Sequence, residues 1–554
     1  MTLSIHPRAD QYGPRVAVVD SVASETQRED GDETISYADL AARADAHAAR
    51  LADRGVGEGD AVCVVSRNRP ELLGLFYGCL EVGAVLEPIS HRLPADAAAT
   101  LRERIDPALT LYEERFAGLV GGGDGASSRT EADSTDAGPV EDLDAFAADE
   151  PSADPDDLNR VDRDPDRPVL YLHTGGTTGV PKVVVLPYRQ VEWNCITEVA
   201  AWGLGKGDVS PVLLPLFHTG GWNLLTLPTL YVGGRVVLHR EFDPDEALAG
   251  IEAEGATHVF GVAAIFQAMA ASERFEETDF ATVDWFMSGG GPTPAEVFEA
   301  YEARGQRFSQ GYGLTEGGPN NLYLDPDREV APETRRASVG RPFPDCETRI
   351  VDADGEPVAP GEVGELEIRG PMTATGYLET EDGTFDGGWV STGDLARVDE
   401  NGDHYITGRT DNMFVSGGEN VYPEEIEDPL SRHEAVADVG VVGVPHEKWG
   451  TVPKAVVEPV EPDDGATDGI DDPFEGLGEE LEAYCRERLA DFQVPHAFEF
   501  VEELPASGPG KLDRGELEAR YGDGGGADAD TDDAADVEDD GRGSVDDDSG
   551  GAGA

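Results

Sequence analysis

Cysteine is scarce: five in 554 residues, Cys63, Cys79, Cys195, Cys346 and Cys485, with no CxxC pair. That excludes a disulfide framework and a cysteine-built zinc site, and fits a reducing compartment. No apolar run approaches the roughly 18 residues of a membrane span, so no integral membrane segment is expected. The opening MTLSIHPRAD lacks the basic-then-apolar pattern of a secretory signal. The expected location is the cytoplasm. Positive charge is the other shortage. Forty-one basic residues face 113 acidic ones, a net charge of −72. A surface this negative repels nucleic acid and anionic lipid, which removes both as partners.

What is present rules out a wholly disordered acidic chain. Hydrophobic residues make up 39% of the sequence and long apolar segments recur through most of it. A globular protein adapted to high salt fits better, because screening at 1 M falls to about 3 Å and makes self-repulsion tolerable. Two stretches read as structureless: an acidic insertion over about 121–167 and an acidic tail over 521–554. From Gly522 onward there is no aromatic, no lysine and only Arg542.

Elsewhere helical and strand-like pieces alternate. Tyr37 to Leu51 and Pro70 to Ala84 have helical spacing. Asp60-Ala-Val-Cys-Val-Val, Val85-Leu-Glu-Pro-Ile, Val183-Val-Val-Leu, Val212-Leu-Leu, Arg235-Val-Val-Leu and His258-Val-Phe-Gly-Val read as strands. The rhythm predicts an α/β protein with largely parallel sheets in a large N-terminal domain. After about Asp411, Val439-Gly-Val-Val-Gly-Val, Ala455-Val-Val and Phe498-Glu-Phe-Val surround the helix Leu481 to Leu489. This predicts a small α+β domain over 411–520.

The most unusual run is HTGGTTGVPK, His173 to Lys182. Glycines between two strands allow positive φ and close backbone approach. Freed N–H groups and threonine hydroxyls make an anion cradle, and Lys182 adds a mobile cation. This is phosphate chemistry, but not a Walker A loop, because Pro181 stands where that motif has glycine.

Six further motifs follow in order: Pro215-Leu-Phe-His218, Gly311-Tyr-Gly-Leu-Thr-Glu316, Ser391-Thr-Gly-Asp394, Gly408-Arg-Thr-Asp411, Ser416 to Glu427, and Gly510-Lys511. Together they resemble the adenylate-forming superfamily of acyl-CoA synthetases, peptide-synthetase adenylation domains and beetle luciferase, over about Ile35 to Arg520. Gly175 replaces the family's usual serine and Val183 its final glycine.

The resemblance implies two half-reactions. A carboxylate attacks the α-phosphate of ATP, giving acyl-AMP and pyrophosphate; the thiol of coenzyme A then takes the acyl group and releases AMP. It places Thr174, Gly175, Gly176, Thr177, Thr178, Gly179 and Lys182 on the β- and γ-phosphates. Tyr312, between Gly311 and Gly313, offers adenine a flat face. Thr315 meets the α-phosphate and Glu316 supplies the hard oxygen that Mg²⁺ prefers. Asp394 takes the ribose hydroxyls with Arg409 beside it. Lys511 neutralises charge at the α-phosphate, Asp411 is the hinge, Gly417 and Gly418 line the pantetheine tunnel, and Trp449 stacks on the adenine of coenzyme A. The family's basic Y-K-x-P-K run appears here as Phe492-Gln-Val-Pro-His496, two lysines fewer.

His218 is expected either to gate an uncharged acyl or aryl chain or to be a packed structural histidine. An acid-binding region is expected from Trp222, Val262 to Ala264, Ser288 to Gly291 and Gly311, which carry no cation for a second carboxylate. A fatty acid is the first expectation and an aryl acid the second. An amino-acid-activating domain is disfavoured, since Phe217-His218 stands where those enzymes commonly carry Phe-Asp. A binding protein without turnover is the non-enzyme alternative. A homodimer is compatible with the sequence.

Overall fold

The computed structural model describes residues 2–21, 33–121, 138–151, 158, 160–174, 181–379, 383–416, 419–446, 448–460, 474, 476–508 and 511–522. Its centre is a seven-stranded sheet in the order Gly376–Tyr377, Lys182–Pro187, Pro168–Thr174, Val85–Ile89, Ala61–Val65, Leu109–Tyr112, Val140–Asp142. From Pro168–Thr174 outward to Val140–Asp142 neighbouring strands are parallel. Pro168–Thr174 and Lys182–Pro187 form an antiparallel pair with Thr174 opposite Lys182.

Two helices cover one face and their ends are legible. Ser36 and Asp39 close a reciprocal capping box at the start of Tyr37–Asp53. Pro70 occupies the first turn of Pro70–Val82, and Gly83, at φ +80°, ends it in the left-handed conformation that glycine adopts without strain. Every residue of Pro70–Val82 except Glu71 is buried, as expected of a helix apolar all round.

A four-stranded sheet (Glu33–Ser36, Val16–Ser21, Arg235–His239, Val209–Val212) and a five-stranded one (His258–Gly261, Trp285–Ser288, Phe308–Tyr312, Leu322–Tyr323, Arg341–Pro342) complete the α/β part. The expectation of largely parallel sheets stops there. Residues 347–409 form a wholly antiparallel sheet, whose strands are joined by short turns with no crossover helix to make them parallel. The C-terminal part pairs Val436–His446 with Gly450–Pro459, adds Ala497–Phe500 in parallel, and packs Pro423–Leu430 and Leu477–Arg486 on the sheet.

The insertion needs correction. Val140–Asp142 joins the sheet edge beside Leu109–Tyr112, and the helix Leu143–Ala148 buries Leu143 and Phe146 completely. Phe146 stacks on His47 at 5.5 Å and takes the Arg54 guanidinium at 4.7 Å on its ring. Apolar residues at 140, 143 and 146 suffice for one strand and one turn of helix, even in acidic surroundings. Residues 122–137 and the tail beyond 522 lie outside the described residues.

Candidate functional site

The hairpin that holds the glycine-threonine run delivers Thr174 and Lys182 side by side at its mouth. Residues 175–180, with Gly175, Gly176, Thr177, Thr178 and Gly179, lie outside the described residues. The Lys182 ammonium stands 4.8 Å from the centroid of the Tyr377 ring. Tyr377 sits on the short strand that pairs with Lys182–Pro187, and its hydroxyl donates to Glu316 Oε1 at 2.8 Å. A cation, a ring and a carboxyl are thus locked in series.

Glu316 lies on a single 3₁₀ turn, Thr315–Gly317, and is only 8% exposed. Burial pushes its carboxyl above the usual range, opposed by the Tyr377 hydroxyl and the charges of Lys182 and Arg409. A buried carboxyl already disposed to protonation gains by meeting a hard cation, so the donor chemistry fits Mg²⁺. The half-buried Thr315 has its carbonyl fixed by Gln190 Nε2 at 3.0 Å.

Asp394 and Arg409 are cross-strand partners in the antiparallel sheet, and the guanidinium donates to Asp394 Oδ1 at 2.9 Å. The Tyr312 hydroxyl donates to Asp394 Oδ2 at 2.5 Å. Enclosure and the Asp394 charge push the Tyr312 phenol far up, so it remains a donor. Asp394 is thereby held by a donor on each carboxylate oxygen. Tyr312 is therefore a strut for Asp394 as well as a ring. The glycines beside it serve the chain itself: a Cβ at Gly313 would fall 1.7 Å from the Pro319 carbonyl oxygen, and one at Gly311 would lie 2.9 Å from that of Leu322.

Arg409 and Lys182 both act on Glu316. The two triads, Lys182–Tyr377–Glu316 and Arg409–Asp394–Tyr312, are therefore one charged site drawn from three sheets. Tyr377 was missed from sequence. Its signal was Gly376-Tyr377 in Thr373-Ala-Thr-Gly-Tyr, a glycine-tyrosine pair between the Gly311–Glu316 and Ser391–Asp394 motifs.

The region expected to take the acid is largely apolar. His218 is exposed at the start of the helix Thr219–Asn223, its ring 4.6 Å from that of Phe217. Phe217 stacks on His173, the residue before Thr174. Gly289 abuts the Phe260 ring so closely that a Cβ there would lie 3.0 Å from it and 3.4 Å from the Gly311 carbonyl oxygen; Val262 lies 3.5 Å from the equivalent point on Gly290. Three expected segments (262, 288–291 and 311) thus converge, and Phe260 joins them. Trp222 does not: it is fully buried in the main core, tilted against Phe76 at 5.3 Å. The Thr293 hydroxyl donates to Ser288 Oγ at 2.8 Å.

In the C-terminal part, Lys511 begins a two-residue strand paired with Ala506–Gly508. Its side chain, and Gly417 and Gly418, lie outside the described residues. Asp411 is exposed in the turn after His404–Arg409, and the neighbouring Asn412 Nδ2 donates to Glu424 at 2.7 Å. Trp449 is 42% exposed with the Lys448 ammonium 4.7 Å over its ring. His446 and His496 face each other at 5.3 Å nearby. No described helix is long and apolar enough to cross a membrane.

Residues 5–378 match the family described as AMP-binding enzyme, and residues 425–511 its C-terminal domain. A feruloyl-CoA synthase from an Amycolatopsis species is 36% identical over 496 residues, 89% of this chain and 95% of that protein. An indoleacetate–CoA ligase from Aromatoleum aromaticum is 33% identical, covering 86% and 91%. The solved o-succinylbenzoate coenzyme A synthetase of Bacillus subtilis, in complex with ATP and magnesium ion, superimposes with a TM-score of 0.78 at 26% identity, covering 93% of this chain and 98% of that one.

Proposed function

Because this chain belongs to the AMP-binding enzyme family, and is an AMP-forming acid–CoA ligase that uses ATP, Mg²⁺ and coenzyme A, we propose that its acid is a flat aryl or arylalkenoic acid. The observation that carries this reading is the wall of the acid side. The edge of the Phe260 ring, through Cζ and Cε2, meets the Gly289 backbone beside the Gly311 carbonyl, and no cation is among these residues. A planar acid gains offset stacking on an aromatic ring, about 0.5–1.5 kcal/mol beyond its area. An alkyl chain gains only the area. The relatives named for ferulate and indoleacetate support the same class.

The reaction divides among the residues as follows. Thr174 and Lys182 hold the outer phosphates, Thr315 the α-phosphate, and Asp394 the ribose, braced by Arg409 and Tyr312. Glu316, kept in place by Tyr377, would hold Mg²⁺, which would supply charge withdrawal from the phosphates when bound. Lys511 stabilises charge at the α-phosphate in the first step, which makes catalysis a matter of positioning and charge. His218 stands between the nucleotide and the acid. Trp449, with Lys448, receives coenzyme A, and Gln493 and His496 stand where the family carries lysines.

The test is pyrophosphate release with ATP, Mg²⁺ and coenzyme A across benzoates, cinnamates and straight-chain acids of graded length. Higher kcat/KM for cinnamates is expected. Turnover confined to alkanoates would replace the aryl reading with the fatty-acid one. No turnover with any acid in multimolar KCl would favour a binding protein.

A further inference from the structure

Beside the apolar cluster that holds Leu225 and Phe260 lies a buried polar cluster that the chemistry above does not use. Asn194 and Glu198 lie one turn apart on the helix Tyr188–Trp202, and both are fully buried. The Asn320 amide, four residues beyond Glu316, donates to Asn194 Oδ1 at 2.7 Å and to Glu198 Oε1. Asn194 Nδ2 donates to the Asn223 carbonyl at 2.6 Å. The cluster therefore joins three segments: the helix that follows the Lys182 strand, the turn after Thr315 and Glu316, and the helix after His218.

Three independent features set it apart from ordinary packing. Glu198 is a wholly buried carboxyl with no cationic partner among the described residues, and burial pushes it well above the usual range. The Leu225 N–H donates to Glu198 Oε2 at 3.3 Å while the residue is held at φ +68°, a left-handed conformation that leucine adopts only under constraint. Asn223 Oδ1 and Thr226 Oγ1 are buried and make no bond among the described residues. Buried polar atoms are normally satisfied, so two such atoms beside a strained residue mark a place for a ligand or a water. Leu225 also fixes the location, because it packs in one apolar cluster with Phe260 and Met287.

We propose that this cluster is the distal end of the acid site and selects acids that carry a hydroxyl remote from the carboxylate. A hydroxyl both donates and accepts, which matches a lone amide oxygen at Asn223 and a threonine hydroxyl at Thr226. A second carboxylate would meet Glu198 and no cation. An ammonium would need Glu198 ionised, yet both its oxygens already accept N–H bonds in an enclosure that favours the neutral acid.

The inference rests on the aryl-acid reading for its probes. The experiment compares kcat/KM for 4-hydroxycinnamate and cinnamate in the full-length enzyme and in Asn223→Leu and Thr226→Val, with thermal melts as a folding control. The wild type is expected to favour the hydroxylated acid by roughly 10- to 100-fold, the effect of leaving one or two buried polar groups unpaired. Either variant is expected to reduce that ratio to about threefold or less while retaining activity on cinnamate. Thr226→Val changes one atom and keeps the test available if Asn223→Leu fails to fold. A wild-type ratio near one, or equal losses on both acids in Thr226→Val, overturns the proposal and leaves the aryl reading standing. Turnover of alkanoates alone overturns both.

Discussion

The two sides of the site are built on different principles. On the nucleotide side, charged groups are braced in series, Lys182 to Tyr377 to Glu316 and Arg409 to Asp394 to Tyr312, across three sheets. On the side proposed for the acid, a ring edge meets glycine backbone, with a buried polar cluster near it. The contrast follows from what each must hold. Phosphates and a diol need fixed charges and donors at set distances. An acid's remote end needs shape and one or two satisfied hydrogen bonds. Damage to the first side should therefore be blind to the acid, whereas damage to the second should change the order of acids.

The largest effect is expected from Lys511→Ala. Pyrophosphate release should fall about 10²- to 10³-fold with every acid, the usual scale for losing one preorganised donor at a developing charge. Thioester formation from supplied acyl-AMP should be spared. Parallel half-reaction assays check this, and equal losses in both would remove Lys511 from the first step.

Gly289→Ala probes the other side. Its new methyl would sit 3.0 Å from the Phe260 ring, so the ring must shift by a few tenths of an ångström. The KM for bulky cinnamates should rise about 10-fold, the scale of one methylene in a pocket, with the KM for ATP unchanged. A change in ATP affinity of the same size would erase the separation drawn between the two sides.

Tyr377→Phe should cost less, about 3- to 10-fold in kcat/KM for ATP, the loss of one hydrogen bond. The pH profile gives its sign. Burial holds the Glu316 carboxyl above the usual range and the Tyr377 hydroxyl pulls it back down. If ionised Glu316 is the active form, activity is lost as pH falls through that raised value. Without the hydroxyl the acid limb should move to higher pH, and a limb that stays put or moves down would separate Glu316 from the rate.

The smallest effect is expected from removing residues 523–554, which should leave kcat intact in multimolar KCl. The same KCl series tests the high-salt setting implied by a net charge of −72. Activity should fall as the Debye length grows to about 10 Å at 0.1 M. Full activity in dilute buffer would remove that setting.

The nucleotide side was legible because its residues lie in short contiguous motifs. Thr174 with Lys182 needed only a hairpin, and Asp394 with Arg409 only strand register, to come together. The acid side was legible in part: segments 262, 288–291 and 311 were expected and converge, but Phe260 was not, because it lies on a separate strand, His258–Gly261, and no local pattern ties it to Gly289 and Gly311. Glu198 was hidden for a related reason. A glutamate in a helix reads as solvated surface, but the helix Tyr188–Trp202 also buries Gln190, Glu192, Asn194 and Thr197. The insertion misled through composition. Three apolar residues among acids look disordered until the edge strand Leu109–Tyr112 offers Val140–Asp142 a partner, and Phe146 finds the pocket between His47 and Arg54.

The division of the site is tested most directly by competition in one vessel. Equimolar cinnamate, 4-hydroxycinnamate and decanoate, with ATP, Mg²⁺ and limiting coenzyme A, compete for the enzyme, and mass spectrometry counts the CoA thioesters formed. The account predicts 4-hydroxycinnamoyl-CoA first, cinnamoyl-CoA second and decanoyl-CoA last. The same order should persist in Tyr377→Phe at a lower total yield. Decanoyl-CoA as the main product, or an order that changes in Tyr377→Phe, would contradict it.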